Sequence, residues 1–172
     1  MKRDRYIATA AVIAALYAAL TYAFSFMSYG GVQFRVAELL TVLPFYTSAA
    51  VPGLAIGCLL ANITSPLGPI DMAVGTCATL LAAILTRILP KRLAPIPPII
   101  CNAVIVGMEL TIVFHSPLWY NMATVAFGEA VVCLAGGYLF MAALDRVSTP
   151  LFGYDRFAGL PAFFKKGKQK NG

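Results

Sequence analysis

The chain has 172 residues, 60% of them hydrophobic and only 12% charged. A soluble domain carries about a quarter charged residues, so an ordinary soluble fold is excluded, and apolar runs long enough to cross a bilayer recur along the whole length. The formal net charge of +6 sits in clusters flanking those runs, which argues for orientation in a membrane and against a nucleic-acid partner.

The pattern predicts an all-α integral membrane protein with six transmembrane helices over residues 1–147, followed by a cytoplasmic basic tail over 148–172. Helix one covers about 6–27; this run is too long for a signal-peptide core and lacks a convincing cleavage site. Helix two, about 35–47, follows the YGG turn at 29–31. Helix three runs from about 51 to 63 and ends before the breaker string TSPLGP. Helices two and three are short for a hydrocarbon layer that needs about 20 residues per straight span, so a re-entrant pair is the alternative. Helix four covers about 70–88 and stops at Pro90, helix five about 97–114, and helix six about 118–143. From Ser148 the mixture of aromatics and lysines reads either as a segment lying on the inner membrane surface or as a disordered tail.

Lysine and arginine set the direction. Lys2, Arg3 and Arg5, then Arg87, Lys91 and Arg92, then Lys165, Lys166, Lys168 and Lys170 mark the cytoplasmic side. The links at 28–34, 64–69 and 115–118 hold no lysine or arginine and fall outside. Six crossings of the cell membrane satisfy this, with both termini cytoplasmic.

That direction gives each intramembrane polar residue a depth. Arg35 and Glu38 open helix two at the outer side; Asn62 closes helix three there, and Asp71 starts helix four. Glu109 lies about 7 Å below the outer end of helix five, Asn102 two turns deeper on roughly the same face, and Glu129 about 16 Å into helix six, at 1.5 Å per residue. An ionised group at the centre of a membrane helix costs ~2.5–3.5 kcal/mol. These residues therefore predict an outward-opening polar pocket inside the bundle. Blander roles stand beside that one: an i,i+3 ion pair for Arg35 and Glu38, interhelical hydrogen bonds for Asn62 and Asn102, and a helix cap for Asp71. His115, Trp119 and Tyr120 fall at the outer interface, where aromatic belts are ordinary.

Other chemistry is absent from the pattern. The sequence has no phosphate-binding GxxxxGK[ST] loop, no HExxH and no nucleophile elbow, and it holds one histidine. Cys58, Cys77, Cys101 and Cys133 lie in separate apolar runs without CxxC spacing, which predicts packing residues and no metal. The expectation is a binding or transport subunit, not an enzyme, with no cofactor. On helix one, alanines at 10, 14, 18 and at 11, 15, 19 form two adjacent rows at i,i+4 spacing, suited to close approach of another helix.

Three stretches carry a family resemblance: VQFRVAELLTVLP at 32–44, GCLLANITSPLGPIDMAVGTCATLLAA at 57–83, and NAVIVGMEL at 102–110. They resemble the substrate-binding (S) components of energy-coupling factor transporters, and within these the QueT family, over most of the chain except the tail. The resemblance implies a six-helix bundle that binds a queuosine precursor from outside and docks on a transmembrane T component with two ATPase subunits. It further implies that the bundle topples in the membrane to release its cargo inward. An AxxxA motif on helix one mediates docking in that family; Ala11 and Ala15 match it, and Ala10 and Ala14 match it equally.

The chemistry of a 7-deazaguanine suits these residues. Its guanine edge presents two adjacent donors, which a carboxylate (Glu38, Glu109 or Glu129) accepts together, while Asn62 or Asn102 serves the ring carbonyl and Arg35 orients or stacks. Trp119 or Tyr29 offers a stacking face. The competing readings are an S component for another flat vitamin such as a flavin or thiamine, an autonomous cation-coupled carrier using Glu109 and Glu129, and a non-transporting scaffold.

Overall fold

The structure is a computed structural model that describes residues 3–28 and 34–152. Tyr29 and the tail beyond residue 152 lie outside the described residues. Every regular element among those described is helical: α1 (Arg3–Ala23), α2 (Ser25–Ser28), a 3-10 helix (Val36–Phe45), α3 (Ala50–Ala61), α4 (Pro69–Ile88), α5 (Ile96–Phe114), α6 (Leu118–Ala130), a π-helical segment (Val131–Gly136) and α7 (Gly137–Phe152).

Four of these stretches are long and apolar enough to cross a membrane: Arg3–Ala23, Pro69–Ile88, Lys91–Phe114 and Leu118–Val147. Val36–Phe45 and Ala50–Thr64 are shorter apolar helices. The last predicted helix ends too early in the sequence reading; nothing from Leu144 to Thr149 breaks a helix, the chain stays helical through Pro150 to Phe152, and the middle is rewound as the π segment.

The second predicted helix is present but is not α-helical. Ten residues in 3-10 form are unusual, since such runs rarely exceed three or four residues. Pro44 lacks an amide hydrogen and its ring would clash with the Leu40 carbonyl in an α-helix. The Thr41 hydroxyl donates to the Glu38 carbonyl at 2.5 Å, a further local competitor. At ~2.0 Å per residue the segment reaches about 20 Å, whereas the same residues as α-helix reach about 15 Å. It packs against α1, α3, α4, α7 and the π segment, so a short element forms the hub of the bundle. Leu40, Val42, Leu43, Phe45 and Tyr46 join Ile13, Tyr17, Leu54 and Met141 in the main core around it.

Glycine sets the tightest helix pair. A Cβ on Gly53 would lie 2.8 Å from the Ala10 carbonyl, and one on Gly57 would lie 2.7 Å from the Tyr17 Cβ and 2.9 Å from the Ala14 carbonyl. The first alanine row, Ala10, Ala14 and Ala18, is therefore buried against α3, while Ala11, Ala15 and Ala19 are exposed. Ala10 and Ala14 cannot serve a partner protein, as their surface is already covered within the chain.

Turn chemistry orders the rest. Gly68 takes φ 65° and leads into Pro69 at the first position of α4, where a missing amide hydrogen costs nothing. Pro97 and Pro98 occupy the first turn of α5 for the same reason. At the basic end, Lys91 pairs with Asp145, which also accepts the Tyr46 hydroxyl at 2.8 Å.

Because the atoms crowding Gly57 are backbone and Cβ atoms that cannot swing aside, Gly57→Ala should destabilise the chain by about 1–3 kcal/mol. Gly136→Ala, whose new Cβ would meet only Leu39 at 3.8 Å, should be neutral or mildly stabilising; thermal unfolding of the purified chain in detergent compares the two.

Candidate functional site

Buried polar side chains gather around the 3-10 helix, contributed by α1, α3, α4, α5, α6 and the π segment. Glu38, on the 3-10 helix, is 0% exposed. Its Oε1 accepts the hydroxyl of Tyr17 on α1, while its Oε2 makes no hydrogen bond of good geometry among the described residues, although the Asn102 amide lies near enough to interact with this carboxylate. Tyr17 reaches it because Gly57 lets α1 settle against α3 without an intervening side chain. The Thr21 hydroxyl donates to the Tyr17 carbonyl at 3.0 Å one turn further on.

Glu129 lies opposite, on α6. Its Oε1 accepts the Asn102 amide from α5 at 2.8 Å, and its Oε2 accepts the thiol of Cys133, one turn on, at 3.5 Å. Cys133 belongs to the π segment and also approaches the Glu38 carbonyl at 3.8 Å. A π turn widens the helix by one residue per turn and re-aims the side chains beside it, a device that recurs at functional sites. Here Glu129, at the end of α6, and Cys133, in the π segment, both face the 3-10 helix region.

Arg35 is 6% exposed and touches the Cys58 sulfur at 4.0 Å. None of its nitrogens comes within ion-pair distance of a described carboxylate. The i,i+3 pairing with Glu38 is thus not formed; Arg35 is in extended backbone, and the two residues are joined through the Glu38 amide donating to the Arg35 carbonyl at 2.9 Å. Tyr17, Glu38, Cys58 and Asp71 are its electrostatic neighbours. A buried guanidinium with one weak contact among the described residues retains most of its five donors for something else.

Asn62, 0% exposed, donates to the Asp71 carbonyl at 2.9 Å and to its Oδ1 at 3.3 Å, leaving its own Oδ1 without a partner. Gly75 leaves room for it, since a Cβ there would fall 2.5 Å from the Asn62 amide nitrogen. Asp71 is buried and makes no capping bond; Gly68 occupies the cap position. The cap assigned to Asp71 from sequence is therefore incorrect, and Asp71 instead orients Asn62.

Of the residues singled out from sequence, Arg35, Glu38, Asn62, Asn102 and Glu129 are brought together. Glu109 is 4% exposed; neither carboxylate oxygen has a hydrogen-bond partner among the described residues, its electrostatic neighbours are Asp71 and Arg35, and it borders a groove between α4 and α5. Trp119 is 73% exposed and stacks edge-on with Tyr120 at 6.1 Å, apart from the buried cluster. Its position at the second residue of α6 directs it away from the bundle. Tyr17, bonded to Glu38, is a member of the cluster that sequence reasoning misses. The signal for Tyr17 is weak but present, a lone phenol on the small-residue face of α1 that a bilayer helix does not need for packing.

Among the described residues no cluster of histidine, cysteine or carboxylate side chains is arranged to hold a metal. What the site offers is two unpartnered acceptors, Glu38 Oε2 and Asn62 Oδ1, beside an under-bonded guanidinium.

The family described as QueT transporter matches residues 7–146. A relative, the queuosine precursor transporter QueT of Lactococcus lactis subsp. cremoris (strain MG1363), is 40% identical over 76 residues. That alignment covers 43% of this chain and 44% of the relative, less than half of its length. No solved structure matches the chain. The chain, a multi-pass membrane protein, belongs to the QueT transporter family.

Proposed function

We propose that the chain is the substrate-binding subunit of an energy-coupling factor importer, and that its cargo is a queuosine precursor of the 7-deazaguanine class. The cargo is captured from outside in the pocket formed by Arg35, Glu38, Asn62, Asn102 and Glu129. The observation that carries this reading is the pairing of two orphaned acceptors with an under-bonded guanidinium. A deazaguanine edge is their complement: its ring N–H and exocyclic amine supply donors for Glu38 Oε2 and Asn62 Oδ1, and its carbonyl accepts from Arg35. The printed name of the Lactococcus relative supports the same cargo.

In this reading the chain crosses the cell membrane six times with both termini cytoplasmic, the basic end at Arg87, Lys91 and Arg92 facing inward. The 3-10 helix and α3 complete two of the crossings inside the bundle, where irregular backbone is tolerated because protein rather than lipid surrounds it. The exposed row Ala11 and Ala15 is the docking surface for a T component that carries two ATPase subunits.

Binding by the purified full chain tests the cargo. Glu38→Gln, Glu129→Gln, Arg35→Ala and Asn102→Ala should each weaken binding of 7-aminomethyl- or 7-cyano-7-deazaguanine. Loss of one charged hydrogen bond costs about 1.5–3 kcal/mol, or about 10- to 150-fold in Kd. Tight flavin or thiamine binding without deazaguanine binding would transfer the site to another flat vitamin, and gradient-driven uptake by the chain alone would favour the autonomous carrier.

The two alanine rows separate docking from folding. Ala11→Leu and Ala15→Leu should leave deazaguanine affinity unchanged and reduce uptake in cells that hold the full transporter. Ala14→Leu, which faces Gly57, should instead lower the thermal stability of the isolated chain. Equal uptake by the Ala11 and Ala15 variants and the unaltered chain would remove the docking surface.

A further inference from the structure

Buried charge in this chain does not balance. Among the described residues the buried charged side chains are Glu38, Asp71, Glu109 and Glu129 against Arg35 alone. Several acids with one base in a low-dielectric interior are costly unless hydrogen bonds or further positive charge compensate them. Glu38 receives the Tyr17 hydroxyl, Asp71 the Asn62 amide, and Glu129 the Asn102 amide and the Cys133 thiol. Glu109 receives no hydrogen bond on either oxygen among the described residues.

The position of Glu109 decides what it can meet. It follows Asn102 on α5 by about two helical turns, so the two residues share one face of that helix. Asn102 is bonded to Glu129 within the cluster, and the electrostatic neighbours of Glu109 are Asp71 and Arg35. Although Glu109 borders the groove between α4 and α5, both of its oxygens are buried rather than open to that groove. Arg35 forms no ion pair with it among the described residues, and Asp71 adds a second negative charge.

A neutral cargo would leave this imbalance as it is. A cargo with a primary ammonium brings the missing positive charge, together with three N–H donors for a carboxylate that has none. We propose that Glu109 is a specificity-determining residue of the cargo site, accepting the ammonium of a 7-aminomethyl substituent and so favouring that cargo over its neutral 7-cyano counterpart. The inference rests on the deazaguanine reading given above. Glu38 and Asn62 take the guanine edge, which both compounds share, and Glu109 distinguishes the substituent carried on the other ring.

Isothermal titration of the purified full chain with 7-aminomethyl-, 7-hydroxymethyl- and 7-cyano-7-deazaguanine tests it. The hydroxymethyl compound matches the aminomethyl one in size and lacks its charge. The aminomethyl compound should bind about tenfold or more tightly than either neutral one, as expected for one charge-assisted bond. Glu109→Gln should remove most of that preference, whereas Glu38→Gln should weaken all three compounds and retain it. Equal affinity for the aminomethyl and hydroxymethyl compounds, or an undiminished preference in Glu109→Gln, overturns the inference and leaves the deazaguanine reading standing. Failure of all three compounds to bind removes that reading, and this inference with it. Should Glu109→Gln fail to fold, as judged by size exclusion and thermal unfolding, the comparison on the unaltered chain decides alone.

Discussion

The bond from the Tyr17 hydroxyl to Glu38 is the contact on which the rest of the site depends. A carboxylate with 0% exposure in the middle of an apolar bundle is tolerated only with hydrogen-bonding partners of its own. The described structure supplies one of them from α1, across a helix pair close enough that neither Gly53 nor Gly57 could carry a side chain. Widen that gap by a single methyl group and the phenol no longer meets Glu38 squarely. Glu38 would then be a buried charge with no donor, a worse state than having no charge at all. Small residues on α1 and α3 are thus as much a part of the site as the charged ones.

The second half of the site follows a different logic. Glu129 is held by Asn102 and Cys133, two neutral donors that place the carboxylate without neutralising it. Asn62 is likewise aimed by Asp71, and Gly75 makes room for it. The arrangement therefore divides into groups that are already satisfied, which fix geometry, and groups that are not, namely Glu38 Oε2, Asn62 Oδ1 and the Arg35 guanidinium. Native interiors leave few buried polar atoms unpaired; Glu38 Oε2 and Asn62 Oδ1 are two such atoms, and both oxygens of Glu109, whose electrostatic neighbours are Asp71 and Arg35, are two more. In a hydrocarbon environment no bulk water can step in to satisfy them.

Much of this is legible in the amino-acid sequence alone. Hydrophobic runs and breakers place α4 and α5 within about a residue of their observed ends, because Pro69, Pro90 and the prolines at 97 and 98 act locally. Helix direction and spacing likewise bring Asn102 and Glu129 to one place. What escapes is whatever depends on a partner distant in sequence. Nothing local to Tyr17 shows that Glu38 awaits it 21 positions on, and nothing local to Asp71 distinguishes a cap from a support for Asn62. The 3-10 winding at Val36–Phe45 is hidden for another reason: its apolar residues match a short α-helix as well, and only Pro44 argues against one. For Trp119 the sequence leaves two roles open, because an aromatic near a helix end serves a ligand or a bilayer interface equally well, and its 73% exposure suits an interface.

Helix α1 joins these observations, because it has three faces with three neighbours. Ala10 and Ala14 lie on α3, Tyr17 reaches the 3-10 helix, and Ala11, Ala15 and Ala19 face outward. The same helix therefore serves the core, the polar site and the outward surface at once. A bulkier interface between α1 and α3 would have separated Tyr17 from the carboxylate it serves.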